Sequence, residues 1–221
     1  MTLNIITPIY NDTKNLLNTL NSIFEIKEIR TDLKINFIIV DNMSTDNLEE
    51  FLGNYKDPAI VNTLIIEKDK GIYDAMNKGL NICLEGHVLF LGAGDMIVTL
   101  PAVLDEKKVY YGNTIVNNSR YFTSTLDGCF VSDFGTIHHQ SLLVPVVFHR
   151  PFNTVYKICA DLAHNFEMII DQRQFEFSTE LLAYHMPGGA SSNLKKVQEE
   201  LKVIQLRARN VLENGILVGR L

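Results

Sequence analysis

Four aspartates carry the chemistry this sequence could do: Asp41, Asp69, Asp95 and Asp161. The first three each follow an apolar run, FIIV before Asp41, LIIEK before Asp69 and HVLFLGAG before Asp95. Carboxylates gathered at one place can hold a hard cation or take up a proton. Three acids at the ends of separate strands therefore describe one ligand site, provided the strands run the same way. Asp161 instead opens a segment whose apolar residues Leu162, Phe166, Ile169 and Ile170 read as a helix, so its charge sits near a helix N-terminus, where it is favoured. Thr136 to Leu143, TIHHQSLL, adds His138, His139 and Gln140. If that stretch is a strand, alternation sends the two imidazoles to opposite faces and only one of them can face a site.

The elements that must position these groups are legible from periodicity. The stretch EKDKGIYDAMNKGL, residues 67–80, hands a strand over at Gly71 to a helix with Ile72, Ala75, Met76, Gly79, Leu80 and Cys83 on one face. That helix feeds a short, unbroken apolar run from His87 to Leu91, which predicts a strand buried on both faces and paired in parallel. Before it, Leu3 to Ile6 reads as a strand ended by Thr7-Pro8, and Asn11 and Asp12 as N-caps for a helix bearing Leu16, Leu17, Leu20, Ile23 and Phe24. Phe37 to Val40 and Ile60 to Ile66 are two more strands, with a helix capped by Ser44-Thr45-Asp46 and running through Phe51 between them. Such regular alternation predicts a parallel sheet with helices on both faces and its ligand at the carboxyl edge. After Asp95 the pattern changes to short strands, around Val109 to Tyr111 and Tyr121 to Thr123, in an α+β half. Beyond PGGAS, Val197, Leu201, Ile204, Ala208 and Val211 form a helical stripe flanked by Lys195, Lys196, Lys202, Arg207 and Arg209.

Composition removes several classes. With 221 residues, 46% hydrophobic and 21% charged, the chain can bury a substantial core as one domain. A net charge of −6 argues against a nucleic-acid surface. The three cysteines, Cys83, Cys129 and Cys159, show no CxxC spacing and read as reduced core thiols of a cytosolic protein. The start lacks a leader pattern, and no stretch approaches the ~20 apolar residues of a membrane span. Gly92-Ala93-Gly94 imitates a dinucleotide fingerprint, but Ile97 stands where a third glycine would be wanted, and β-rich sequence follows where a helix should open.

The strings ITPIYN, FIIVDNMSTDN, GIYDAMNKG, LGAGD, ADLAHN and PGGAS together resemble the family-2 glycosyltransferases of bacterial polysaccharide synthesis, over most of the chain to about Asn193. The resemblance implies a GT-A-like fold, α/β with a mainly parallel Rossmann-type sheet flanked by helices and a smaller α+β acceptor-side half. It implies one domain, with residues 1–95 binding the nucleotide-sugar, 96–192 carrying the acceptor and catalytic groups, and 193–221 forming an amphipathic C-terminal helix. By the same resemblance Thr7, Pro8, Tyr10 and Asp41 surround the nucleotide base, Asp69 and Asn77 lie by the ribose and diphosphate, Asp95 binds a divalent metal, Mg²⁺ or Mn²⁺, and Asp161 is the catalytic base. His138, His139 and Gln140 fall on the acceptor side. The implied activity is inverting transfer from a nucleotide-diphosphate sugar, a UDP-sugar first among them, to a glycan or lipid-linked acceptor hydroxyl in surface polysaccharide or lipid-linked glycan assembly. The implied location is cytoplasmic, with peripheral membrane or homo-oligomer contact through the C-terminal helix.

The sequence departs from the family in one respect. The acidic turn often has two aspartates there, and here Gly94 precedes the single Asp95. A catalytically silent sugar-nucleotide-binding or scaffold subunit is the alternative this motivates, and His185 is the other side chain that could supply a ligand. Each acid also has a structural role open to it: Asp41 as a turn former, Asp69 as an N-cap, and Asp74 as the partner of Lys78 four residues on. Asp127, Asp133 and Glu167 rival Asp161 as the base.

Overall fold

The structure, a computed structural model, describes residues 1–116, 120–122, 137–188 and 194–213. Nine strands and five helices alternate among them. β1 (Thr2–Ile9), α1 (Thr13–Ile29), β2 (Lys34–Asp41), α2 (Leu48–Gly53), β3 (Thr63–Ile66), α3 (Ile72–Leu80) and β4 (His87–Phe90) form the first half. β5 (Met96–Thr99), β6 (Lys108–Val116), β7 (Arg120–Phe122), β8 (Leu142–Pro145), α4 (Ala160–Ile170), β9 (Gln174–His185) and α5 (Leu194–Glu213) follow. The sheet order is β3-β2-β1-β4-β8-β6-β9-β5, with β7 paired to β6. The first four strands are parallel, while β8 joins β4 antiparallel and opens the mixed half. The result is the expected α/β sheet flanked by helices.

The chain steps outward from β1 to β2 and β3, then returns to place β4 on the other side of β1. That reversal opens a crevice between the carboxyl ends of β1 and β4. Pro8 lies inside β1, contrary to the expectation that it ends the strand, because of this same geometry. The Ile6 carbonyl bonds Leu91 on the β4 side, and the last β1–β4 pair is Ile6 with Phe90. Two residues on, Pro8 faces the same side where β4 has already ended, so its missing N–H costs no ladder bond.

Alternation along the strands splits the apolar residues between two cores. Leu3, Ile5, Phe37 and Ile39 pack with Leu16, Leu20, Ile23 and Ile26 of α1 and Leu48 and Leu52 of α2. Ile6, Ile38 and Val40 pack on the other face with Tyr73, Ala75, Met76 and Leu80 of α3 and with Ala160, Leu162 and Ala163 of α4. Each fully buried aliphatic side chain contributes roughly 1.5–3 kcal/mol. Helix α3 lies so close to β1 that a Cβ at Gly79 would come within 2.6 Å of the Ile6 side chain. Cys83 falls beyond the end of α3 but is still buried, and burial pushes its thiol up to about 11 and that of Cys159 to about 12, so both are inert. Cys129 lies outside the described residues.

Several helix starts are held from a distance. The Thr13 N–H of α1 donates to Asp46 of the loop after β2, and Asp12 makes no side-chain cap. Asp74 accepts from the Lys70 N–H just before α3, while Lys78 pairs with Asp69 and Glu67, so the expected Asp74–Lys78 pair does not form. Glu200 of α5 accepts from the backbone N–H groups of Lys157, Ile158 and Cys159, which lead into α4. With Leu201 and Ile204 buried in the core, α5 packs back on the domain; Val203 and Leu206 stay exposed, and Ile216 to Val218 lie outside the described residues. Glu200→Ala should strip those three donors of their charged acceptor and cost about 1–3 kcal/mol, read as a lowered urea midpoint with unchanged slope.

Candidate active site

The centre of the site is the turn after β4. Asp95 N–H donates to the Gly92 carbonyl at 3.0 Å and Gly94 has φ +96°, the arrangement of a type II turn with glycine at its third position. Thr19 of α1 pins it, accepting from Gly94 N–H at 2.9 Å and donating to the Asp95 carbonyl at 2.7 Å. The Asp95 carboxylate then gathers four groups from three segments. Oδ2 accepts from Gly92 N–H and from the Gln140 amide, each at 2.9 Å, and Oδ1 accepts from Met186 N–H at 2.8 Å and faces His185 Nδ1 at 3.1 Å. Burial alone would raise its pKa, but the bond and charge of His185, with His139 and Gln140, outweigh that and hold it below the usual carboxylate range. The turn also explains the missing second acid: a Cβ on Gly94 would stand 2.9 Å from the Met186 side chain, on backbone that L-residues rarely adopt.

His138 is extended and His139–Ser141 form a 3-10 turn, so strand alternation does not govern this stretch. Both histidines lie near Asp95 and Asp161, against the expectation that only one could. His138 sets its ring 6.0 Å from that of His185, and burial, reinforced by the charges of His185 and His139, pushes it down to about 4. His139 Nδ1 meets Asp161 Oδ2 at 3.0 Å. Neighbouring residues thus reach opposite acids, Gln140 to Asp95 and His139 to Asp161. Asp161 Oδ1 also accepts from Leu162 N–H at 2.9 Å and lies 2.8 Å from the Tyr73 hydroxyl of α3, whose one proton is shared with the Ile158 carbonyl at 2.5 Å. Burial opposes both charges of the His139–Asp161 pair, yet their mutual attraction prevails, lowering the carboxyl and raising the imidazole. Glu167 turns away to Arg207 of α5, and Asp127 and Asp133 lie outside the described residues.

Toward the nucleotide side, the parallel order puts Tyr10, Asp41 and Asp69 on the same edge as Asp95. Tyr10 is 61% exposed, an aromatic face open to solvent rather than a core residue. Thr7 is fully buried and its hydroxyl has no hydrogen-bond partner among the described residues. Pro8 is buried beside it. The Asp41 carboxylate accepts the backbone N–H and the hydroxyl of Ser44, while Asn11 Oδ1 accepts from Thr45 N–H, tying the loops after β1 and β2 together. Asp69 is paired with Lys78 at 2.6 Å; burial raises its pKa against that cation. The Asn77 amide exchanges two bonds with the Phe152 backbone, at 2.9 and 2.7 Å, which makes it a clamp between α3 and the approach to α4. A separate groove between α1 and α2, lined by Leu17, Asn21, Phe51 and Tyr55, includes none of these acids.

Thr19, Tyr73 and Glu200 are supporting residues that sequence reasoning missed. Periodicity reads Tyr73 and Thr19 as parts of helices; only the close approach of those helices to the start of α4 and to the turn after β4 gives their hydroxyls a role.

Comparison with known proteins agrees with this architecture. Residues 4–98 match the family model described as glycosyl transferase family 2. A PGL/p-HBAD biosynthesis glycosyltransferase of Mycobacterium tuberculosis is 27% identical over 147 residues, covering 58% of this chain and 56% of that protein. The chain spans about half the length of the curated relatives it matches. Among solved structures, S. aureus TarS superposes with TM-score 0.66 at 17% identity, over 97% of this chain and 42% of that one. The mannosyltransferase PcManGT from Pyrobaculum calidifontis, in complex with GDP-Man and Mn2+, gives 0.62 at 13% identity, over 99% and 76%. The fold is that of the GT-A glycosyltransferases. The chain's resemblance to family 2, first read from its motifs, stands.

A divalent cation, which that fold family implies, can be tested against the donors present. Among the described residues no three His, Cys, Asp or Glu side chains are placed to hold a metal. Two are. Asp95 Oδ1 and His185 Nδ1 are 3.1 Å apart, close to the ~3 Å edge between neighbouring ligands of an octahedral ion with bonds of about 2.1 Å. The Gln140 amide nitrogen, 2.8 Å from the same Nδ1, would have to give way to a cation held by the pair, whose remaining ligands would come from phosphate and water.

Gly94→Asp, which restores the second acid of the family turn, should destabilise the fold by more than 1 kcal/mol instead of building a better site, as a thermal melt would show. The His139–Asp161 pair predicts a pH dependence. The contribution of His139, whose ordinary pKa is 6.5, is complete below that value and lost as pH rises through its raised pKa; that of Asp161, ordinarily 3.8, is complete above that value and lost as pH falls through its lowered pKa. The stability difference between wild type and Asp161→Asn, followed by urea denaturation across pH, should therefore be largest between about pH 4 and 6.5 and shrink above.

Proposed function

We propose that this chain is an inverting glycosyltransferase domain that moves a sugar from a nucleotide-diphosphate donor to an acceptor hydroxyl, in surface polysaccharide or lipid-linked glycan assembly. The observation that carries the reading is the juxtaposition, at the sheet's reversal point, of Asp95 and Asp161 joined through the adjacent Gln140 and His139. The neighbour structures support the donor class, since TarS has been solved with UDP-GlcNAc and PcManGT with GDP-Man. A UDP-sugar is the first donor to test.

In this reading the exposed Tyr10 and the loops tied by Asp41 and Asn11 receive the base, and Asp69, held by Lys78, borders the ribose. Asp95 and His185 would hold the divalent cation, which when bound offsets the charge accumulating on the departing diphosphate. The acceptor hydroxyl, whose pKa is far above 7, needs a proton acceptor as it attacks, and the Asp161–His139 pair supplies one. Single in-line attack opposite the leaving group inverts the anomeric centre. The proposed location is cytoplasmic, with α5 and its exposed Val203 and Leu206 meeting a membrane surface or a second copy; no helix among the described residues is long and apolar enough to cross a membrane. A catalytically silent nucleotide-sugar-binding subunit is the second reading, favoured by the glycine that leaves a single acid in the turn.

A thermal-shift panel of UDP and GDP with and without Mn²⁺ tests donor binding, since a nucleotide at 100 times its Kd adds about 2.7 kcal/mol. His185→Ala should abolish the Mn²⁺-dependent part of the shift. Asp95→Asn is the poorer variant, because its amide would set N–H groups against the N–H donors that now bond Asp95. Absence of any nucleotide shift would overturn the proposal, and binding without release of nucleotide from UDP-GlcNAc or GDP-mannose would favour the silent subunit.

A further inference from the structure

Within that reading, on which this step rests, we infer that the atom receiving the acceptor's proton is Nε2 of His139, and that Asp161 is a positioning residue that holds the ring. The Asp161 carboxylate is held by Leu162 N–H and His139 Nδ1, and by the Tyr73 hydroxyl, whose one proton it shares with the Ile158 carbonyl. A carboxylate so bonded is a weak base, because each donor stabilises its charged form. The same bonds do the opposite for the imidazole. Bonding to an ionised acid places a proton on Nδ1, so in the neutral ring Nε2 carries the lone pair. The His139 side chain is 22% exposed and Nε2 has no hydrogen-bond partner among the described residues. Tyr73 and Leu162 fix the acid, and the acid fixes the ring, the arrangement by which a buried aspartate orients a histidine base.

The step balances without further reagents. The acceptor O–H proton passes to His139 Nε2 as the oxygen bonds the anomeric carbon, and the electron pair of the broken anomeric C–O bond leaves with the nucleoside diphosphate. Among the described residues the charged groups acting on His139 are Asp161 on α4 and Asp95 in the turn after β4, with His138 beside it and Tyr73 of α3 behind Asp161. The two acids favour its protonated form against burial.

The test uses the full chain and release of nucleotide from UDP-GlcNAc or GDP-mannose, with water standing in for the acceptor hydroxyl. His139→Gln should lower the rate by ~10²–10⁴ while leaving the UDP or GDP thermal shift intact. His139→Gly should recover activity on adding imidazole, which a structural role would not produce. The wild-type rate should fall on acidification through a group that titrates above the ordinary 6.5 of histidine, and this limb should move to lower pH in Asp161→Asn. A limb in the carboxylate range, or a His139→Gln protein of near-normal rate, would overturn the inference while leaving the transferase reading in place; the wild-type profile decides even if a variant fails to fold. Wild-type protein that binds no nucleotide and cleaves neither donor would overturn both.

Discussion

The Asp95 carboxylate is the constraint on which the rest of the site depends. Buried at the end of β4, it must have its charge answered by directed donors, since an unpaired carboxylate there would be too costly to keep. The donors come from the turn itself, from Gln140 and from the end of β9, where Met186 N–H and His185 meet it. Two of these segments lie far along the chain, so this one acid brings the mixed half of the sheet to the edge of the parallel half. Thr19 holds the same turn from the α1 side. The tight backbone that makes this possible also excludes a second acid at Gly94.

A second chain of contacts runs from the far side of the sheet. Glu200 fixes the entrance to α4, α4 presents Asp161, and Tyr73 and His139 take its two oxygens from different directions. Asn77 braces α3 against the approach to α4. The two chains meet at residues 139 and 140, whose side chains diverge because the backbone there is a 3-10 turn. Moving that turn would move both acids together, which couples the turn after β4 to the start of α4.

The parallel half was legible in the sequence because its signals are local. Unbroken apolar runs marked β2 and β4, helical periodicity marked α1 and α3, and the three strand-end acids followed from both. Pro8 misled because a proline is read against an imagined full ladder, and only the order of strands shows that β4 stops short of it. Asp74 and Lys78 have the spacing of an ion pair, but Asp69 and Glu67 compete for the same ammonium from the loop before the helix. The histidine stretch misled because its two leucines suggested a strand throughout, whereas the strand begins at Leu142, three residues after His139. Asn77 could not be placed from its helix alone, since its partners are backbone groups 75 residues away.

The charge arrangement explains how four acids can lie in one region of the fold. Left bare, the carboxylates of Asp41, Asp69, Asp95 and Asp161 would repel one another and any anion. None is bare. Asp69 carries Lys78, Asp161 carries His139, and Asp41 and Asp95 are held by neutral N–H and O–H groups, Asp95 with His185 beside it. Each acid thus fixes a loop or a ring while its charge is answered locally.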